Sequence, residues 1–253
     1  REAISWFDGA EQIQKYEETV PSFFVPNIFS FATEGKTYRY GSVRMPLDLW
    51  GPWRDEDDDR YLDGLEAVQA SVEGMFRKEV LLDIQRYFTV FSASKHRKVK
   101  IICRYQQYQG ANKIVERVRL GLKLNQALRG LIWHFQGSGK SLLMVFAAQK
   151  LRLDPELKNP TVLVVVDRID LDTQISNTFN AADIPNTVST DSRDELQRWL
   201  AQDMRKIIIT TIYKFRESNS ILNDRSNIIV LVDEAHRTQE GDLGNQMRDA
   251  LPN

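Results

Sequence analysis

The chain has 253 residues, a formal net charge of −1 at pH 7 and a hydrophobic fraction of 42%, which is ordinary for a globular protein. The net charge does not indicate nucleic-acid binding, so a nucleic-acid binder of this composition must use a local basic face. The single cysteine, Cys103, excludes a disulfide framework and fits a cytoplasmic location. Since no apolar run reaches 18 residues, we expect no transmembrane helix and no membrane partner. Neither end resembles a natural terminus, and we expect a piece of a longer protein.

The first 45 residues are typical of a helix followed by a β-hairpin. The pattern predicts a helix over 10–17, which Pro21 ends. Two strands are then predicted over 23–32 and 37–43, on either side of a glycine turn. These elements are interpreted as the end of an α/β unit.

A change in composition marks a boundary after residue 45. The acidic run 55–59 has no metal-ligand spacing, and it favours a solvated linker over a metal site. Two helices are predicted next, over 61–76 and 78–91. Residues 46–97 are therefore assigned as a linker with helices.

A dense basic cluster, residues 95–100, precedes a short strand predicted over 99–103. It fits either a DNA-backbone contact or a solvated loop, and the solvated loop is favoured. A helix is predicted over 104–120. The start of this helix contains glutamines about 30 residues before a glycine loop, and the amide of such a residue offers the donor and acceptor that match the N6 and N7 edge of adenine.

Gly137-Ser138-Gly139-Lys140-Ser141 has the form of a phosphate-binding loop. An apolar run, 130–135, precedes it and predicts a strand, and a helix is predicted to begin at Lys140. Glycines allow backbone N–H groups to approach phosphate oxygens, and the helix N-terminus adds partial positive charge. In this pattern Lys140 reaches the β- and γ-phosphates of ATP, and the Ser141 hydroxyl binds Mg²⁺.

The remaining sequence predicts a parallel α/β sheet. Continuous apolar runs of strand length occur at 161–166, 206–211 and 228–232, alternating with helical patterns at 170–179 and 194–204. Such strands are buried on both faces by helices. We therefore predict a P-loop α/β domain that extends from residue 98 to the end.

An acidic pair, Asp233 and Glu234, follows the last of these strands. Ligands of parallel sheets bind at the carboxyl ends of the strands. Asp233 is placed to hold Mg²⁺ and Glu234 to activate the water that attacks the γ-phosphate. His236 is interpreted as a sensor of the γ-phosphate. Two half-sites about 90 residues apart make ATP-dependent chemistry the preferred hypothesis.

These motifs resemble a superfamily 2 helicase motor. The glycine loop resembles motif I, and Asp233-Glu234-Ala235-His236 resembles the DEAH form of motif II. Residues 164–174, which include Arg168, resemble motif Ia, and residues 207–211 match the strand of motif Ib. The resemblance implies a RecA-like lobe in which Arg168, Thr210 and Thr211 contact the DNA backbone.

More specifically, the sequence resembles the restriction (motor and nuclease) subunit of type I restriction enzymes. His134 stands where the general phosphate-loop pattern has glycine, as in that subunit, and residues 104–118 resemble its adenine-reading segment, with Gln107 in the reading position. The resemblance also interprets residues 1–45 as the C-terminal remnant of a PD-(D/E)xK-type nuclease domain. Gln12 and Tyr16 resemble its Gln-x-x-x-Tyr motif, and its catalytic carboxylates are expected upstream.

The resemblance implies an ATP-dependent double-stranded DNA translocase and endonuclease, a type I site-specific deoxyribonuclease. It would cut unmodified foreign DNA away from the recognition site. The implied cofactors are ATP and Mg²⁺, and the implied partners are specificity and methyltransferase subunits. This chain alone is expected to hydrolyse ATP poorly, because the family completes its site with arginines of a second lobe. Two alternatives stay open: a stand-alone superfamily 2 helicase, and a non-hydrolysing ATP-dependent switch or scaffold.

Overall fold

The computed structural model describes residues 5–53, 62–94, 97–133, 137–166, 175, 177–182, 184–202, 204–216, 221–233 and 242–252. Within these ranges no helix is both long and apolar enough to cross a membrane. The chain divides into two compact units, Arg1–Gln109 and Gly110–Asn253. The division thus falls at a different place from the boundaries predicted after residues 45 and 97.

The first unit opens with helix α1, Trp6–Thr19, which contains the predicted helix 10–17. A capping box fixes its start: the Ser5 side chain accepts a hydrogen bond from the helix backbone, and Asp8 accepts one from the Ser5 N–H. A 3₁₀ helix, Pro21–Phe24, follows α1 directly.

Strand β1, Phe29–Thr33, pairs antiparallel with β2, Tyr38–Ser42. The hairpin prediction is confirmed, but the predicted start of its first strand at residue 23 is wrong. Prolines explain the difference, because Pro21 occupies the first turn of the 3₁₀ helix and Pro26 has no N–H for a ladder.

Helices α2, Gly64–Phe76, and α3, Lys78–Tyr87, are followed by a second hairpin, β3 (Thr89–Ser94) and β4 (Arg97–Ile102). The predicted extension of the second helix to residue 91 is wrong. Thr89-Val90-Phe91 is β-branched and aromatic, and this composition favours the pleated strand that pairs with β4. Aromatic rings of the hairpins and helices contact one another in the interior, namely Tyr40, Trp53, Phe88, Tyr105 and Tyr108.

Helix α4, Tyr105–Leu124, contains the boundary between the units. The second unit continues with α5, Lys140–Leu153, and β5, Thr161–Val166, whose six residues are all buried. Further along the chain come β6 (Thr187–Ser189), α6 (Arg193–Ala201), β7 (Ile207–Thr211), β8 (Ile228–Val232) and α7 (Asp242–Ala250).

The strands of the second unit form a four-stranded parallel sheet in the order β6–β7–β5–β8. The predicted α/β parallel sheet is therefore confirmed for its three main strands. Strand β6 was not predicted, because its three residues are too few to show a periodicity. One core cluster packs α6 and α7 against the sheet through apolar side chains that include Leu163, Leu196, Ile208 and Met247.

The strand predicted over 130–135 does not form in residues 130–133, the described part of that segment. Leu131 is 76% exposed and Trp133 is 89% exposed. An apolar run becomes a strand only when a neighbouring strand accepts its ladder hydrogen bonds. The sheet order among the described residues gives β8 one neighbour, β5, and does not include this segment.

Candidate nucleotide-binding site

The glycine loop is a left-handed turn that runs directly into α5. Gly137 has φ 81° and Gly139 has φ 84°, a region that side chains with a Cβ rarely adopt. Ser138 between them is buried at 4% exposure. The backbone geometry therefore favours glycine at both positions, whereas the phosphate-loop prediction was based on the sequence pattern and on the approach of N–H groups to phosphate.

The N-terminus of α5 is left without a side-chain cap. Gly139 occupies the N-cap position, and glycine has no side chain that could accept a hydrogen bond from the first turn. Lys140 and Ser141 begin the helix and are both half-buried. Helix N–H groups, a lysine and a hydroxyl are the donor set that binds a phosphate chain.

Asp233 continues the backbone ladder beyond the carboxyl end of β8. Its N–H donates to the Val165 carbonyl oxygen at 2.9 Å, so the residue is fixed next to the end of β5, and it is half-buried. Helix α5 packs on β5 and is joined to it by the short connection 154–160. The helix therefore runs back along the strand, and its N-terminus lies toward the same sheet edge as Asp233.

Ser141 and Asp233 supply the oxygen donors that Mg²⁺ prefers. Among the described residues, no group of three or more His, Cys, Asp or Glu side chains is placed to hold a metal ion. Such a group is not required beside ATP, because Mg²⁺ commonly takes one or two protein ligands together with phosphate oxygens and water. The donor chemistry of the pair therefore fits Mg²⁺.

Several predicted site residues lie outside the described residues. These are His134 of the loop, Arg168 of the segment after β5, and Glu234 and His236 after Asp233. The acidic run 55–59 lies outside them as well. For these positions the sequence-based predictions stand as predictions.

Gln107 belongs to the first unit and is buried at 2% exposure. Its Oε1 accepts a hydrogen bond from the Arg104 N–H at 2.8 Å, which is half of a capping box at the start of α4. The side chain therefore has a structural role that the sequence analysis did not predict.

The structure does not support direct DNA contacts by Thr210 and Thr211. Thr210 has no exposed surface, and its hydroxyl donates to the Thr190 carbonyl oxygen at 3.3 Å. Thr211 is 2% exposed, and its hydroxyl has no hydrogen-bond partner among the described residues. Both follow from the position of β7 between β6 and β5, which buries the strand.

Gln12 and Tyr16 form a hydrogen-bonded pair on α1. The Gln12 Nε2 donates to the Tyr16 hydroxyl at 2.9 Å, and Tyr16 is 49% exposed. The pair lies one helical turn apart, as the Gln-x-x-x-Tyr spacing requires.

The sequence analysis missed a buried carboxylate next to this pair. Glu17 is 2% exposed, accepts hydrogen bonds from the Ser30 hydroxyl at 3.3 Å and the Arg44 N–H at 2.6 Å, and has its pKa raised chiefly by burial. A signal was present, because Glu17 stands in helical register with the buried Ala10 and the half-buried Ile13.

Comparison with known proteins places the second unit in a family. The family model of SWI2/SNF2 ATPases matches residues 106–253. The chain is 36% identical, over its whole length, to the type I restriction enzyme HindI endonuclease subunit of Haemophilus influenzae, of which it covers 26%. It is 30% identical, over 90% of its length, to the presumed endonuclease subunit of the type I restriction enzyme MjaIXP of Methanocaldococcus jannaschii, of which it covers 24%.

The chain thus spans about a quarter of the length of these relatives. Both similarities extend beyond the ATPase region into the first unit, since they cover at least 90% of the chain. The chain therefore belongs to the SWI2/SNF2 ATPase family and is a homologue of the endonuclease subunits of type I restriction enzymes.

Proposed function

We propose that the chain is part of an ATP-dependent double-stranded DNA translocase and endonuclease, the motor subunit of a type I restriction enzyme. The observation that carries the proposal is the uncapped N-terminus of α5, which bears Lys140 and Ser141 toward the same sheet edge as Asp233. The family match supplies the ATPase class. The similarity of the whole chain to restriction endonuclease subunits supplies the biological context.

The second unit would bind the phosphates of ATP through the glycine loop. Backbone N–H groups at the start of α5 donate to phosphate oxygens, and Lys140 compensates the charge of the β- and γ-phosphates. Mg²⁺, held by Ser141 and Asp233, would further neutralise that charge. Glu234 would take a proton from the attacking water, and His236 would transmit the state of the γ-phosphate.

In the first unit, Gln107 is the proposed reader of adenine, and residues 1–45 are the proposed end of a PD-(D/E)xK-type nuclease. The exposed Gln12–Tyr16 pair is consistent with a motif that contacts a substrate rather than the core. Arg168 remains a proposed contact to the DNA backbone. Specificity and methyltransferase subunits would deliver the motor to unmodified DNA. The near-neutral net charge of the chain is consistent with such delivery by partners. The proposed location is the cytoplasm.

The test uses the full-length protein assembled with its partner subunits. Lys140→Ala should abolish DNA-stimulated ATP hydrolysis while leaving the melting temperature without nucleotide unchanged, because Lys140 is half-buried at a helix start. Lys206→Ala, which changes the same charge at the amino end of β7, is the matched control and should retain activity. Retention of DNA-stimulated ATPase by the Lys140 variant would refute the phosphate-loop assignment.

A non-hydrolysing switch is the second candidate. The described residues include the groups proposed to bind ATP, whereas Glu234, the residue proposed to activate water for hydrolysis, is assigned from sequence alone. Glu234→Gln separates the two. A hydrolytic motor loses turnover but retains ATP binding in this variant. A switch shows no difference between wild type and variant in either measurement.

A further inference from the structure

The loop after β2 holds an arginine in a left-handed conformation. Arg44 has φ 67°, and the non-glycine residues that share this region are three asparagines and Lys158 among those described. Asparagine visits this region readily, whereas a long side chain is disfavoured there. Such strain persists where the surroundings fix the backbone, and it often marks a residue that has a function.

The surroundings of Arg44 do fix the backbone, on three sides. The Arg44 N–H donates to Glu17 Oε2 at 2.6 Å. The next residue, Met45, accepts hydrogen bonds through its carbonyl oxygen from Gln14 Nε2 at 2.9 Å and from Trp50 Nε1 at 3.2 Å. Two side chains of helix α1, the buried Glu17 carboxylate and the Gln14 amide, therefore fix the backbone of Arg44 and Met45 through hydrogen bonds.

The guanidinium presented by this loop makes no direct contact with another described side chain, although Glu17 attracts it electrostatically. Arg44 is exposed, and its side chain makes no hydrogen bond, ion pair or cation–π contact with any residue that the structure describes. Arg39 on the same hairpin differs, because its guanidinium donates to the Tyr38 carbonyl oxygen and lies over the Trp6 ring. The fold thus fixes the backbone of Arg44 and leaves its charged end for a ligand.

We propose that Arg44 contacts a phosphate of the duplex DNA backbone and so helps to position DNA on the first unit. An arginine fork matches phosphate oxygens in a bidentate geometry. Glu17 attracts the guanidinium electrostatically but forms no ion pair with it, and its buried carboxylate oxygens accept hydrogen bonds from Ser30 and from the Arg44 N–H. The choice of DNA as the partner rests on the proposed function.

The test measures binding of the full-length protein to duplex DNA without a recognition site, over a series of NaCl concentrations. Arg44→Gly should weaken binding several-fold and reduce the slope of log K against log salt by about one, as expected for one lost phosphate contact. The melting temperature should stay unchanged, because two opposite effects offset each other. Glycine removes the left-handed backbone strain of the folded state, but it also increases the conformational entropy of the unfolded chain. Arg44→Asn, which also tolerates this backbone, should give the same result.

Lys36→Gln is the matched control. Lys36 is an exposed cation in the turn of the same hairpin, and its backbone is not in the left-handed region. The variant loses the same charge, so its binding and its salt slope should equal those of the wild type. An equal loss in both variants would overturn the proposal, since it would reflect net charge and not position.

Two further outcomes would overturn the proposal: an Arg44→Gly variant that binds DNA with wild-type affinity and slope, and one that binds DNA normally but no longer assembles with its partner subunits. The second would assign Arg44 to an acidic protein surface. Failure of the proposed function can be distinguished from failure of the Arg44 proposal. It would appear in the wild-type protein, which would bind DNA but show no DNA-stimulated ATPase activity.

Discussion

The side-chain oxygen Oε1 of Gln107 accepts a hydrogen bond from the backbone N–H of Arg104 at 2.8 Å. This bond caps helix α4 at its first turn. The residue proposed to recognise adenine is therefore also part of the folded backbone of the first unit. Its two roles predict different consequences when the side chain is removed.

Gln107→Ala should lower the free energy of unfolding by about 1 kcal/mol, because it removes a cap and a buried hydrogen bond. If Gln107 also reads adenine, the affinity for ATP should fall by up to about tenfold more than the affinity for GTP. Isothermal titration with both nucleotides measures the difference. A capping role alone predicts equal losses, and the neighbouring Gln106→Ala should show neither effect.

Tyr40→Phe should destabilise the first unit by about 1 kcal/mol. The Tyr40 hydroxyl donates to the Cys103 carbonyl oxygen at 2.7 Å in a buried setting, and the variant leaves that oxygen without this donor. Tyr38→Phe is the control, because its hydroxyl lies against the Met75 sulfur, a weak acceptor, at 3.2 Å. Urea unfolding should separate the two variants, and equal midpoints would contradict the assignment.

Arg119→Met should cost about 2 kcal/mol of stability in the second unit. The Arg119 Nε lies 2.7 Å from Asp154 Oδ2, and the Asp154 side chain is 1% exposed, so the variant leaves a buried carboxylate without this partner. Arg198→Met breaks an exposed pair with Glu195 at 3.8 Å and should cost less than about 0.5 kcal/mol. Thermal unfolding of both variants measures the two losses of stability, and equal losses would contradict the prediction.

The stability of the first unit should depend on the ionisation of Glu17. Burial raises the pKa of this carboxyl group in the folded state, so between the unfolded pKa, about 4.3, and the raised folded pKa the folded protein binds more protons than the unfolded chain. Stability therefore falls as pH rises through this window. Glu17→Gln removes this titration but can still accept from the Arg44 N–H and donate to the Ser30 hydroxyl.

Melting curves of wild type and Glu17→Gln, recorded from pH 4 to pH 7, measure this linkage. Relative to the variant, the wild type should lose stability as pH rises and regain it at the acid end. A constant difference across the series would show that the ionisation of Glu17 is the same in the folded and unfolded states.

The elements that were predicted correctly are those whose pattern is local and long. The buried strands β5, β7 and β8 are continuous apolar runs, which only a sheet covered on both faces accommodates. The segment 130–135 is also largely apolar, yet its described residues form no strand, because ladder partners are set by distant parts of the chain. Composition therefore predicted which residues could pair, but not which of them do.

The candidate site shows the same limit. Gly137 and Gly139 were identified from the local Gly-Ser-Gly-Lys-Ser pattern, and the structure adds that both have a left-handed backbone. The strand 206–211 was predicted to be buried, yet Thr210 and Thr211 within it were assigned to the DNA backbone by resemblance, and their burial does not favour that assignment. Glu17 and Arg44 were missed because their bond joins residues that are distant in sequence.

The N-cap residue of helix α5 is a glycine, Gly139, which has no side chain to cap the first turn. An anion bound there completes the hydrogen bonding of the helix, so nucleotide is thermodynamically linked to the folding of the second unit. The unit should be least stable just after product leaves and most stable when the site is occupied. In the proposed motor, the unit would alternate between a looser and a tighter fold in each ATP cycle, and it should be most sensitive to proteolysis when nucleotide is scarce.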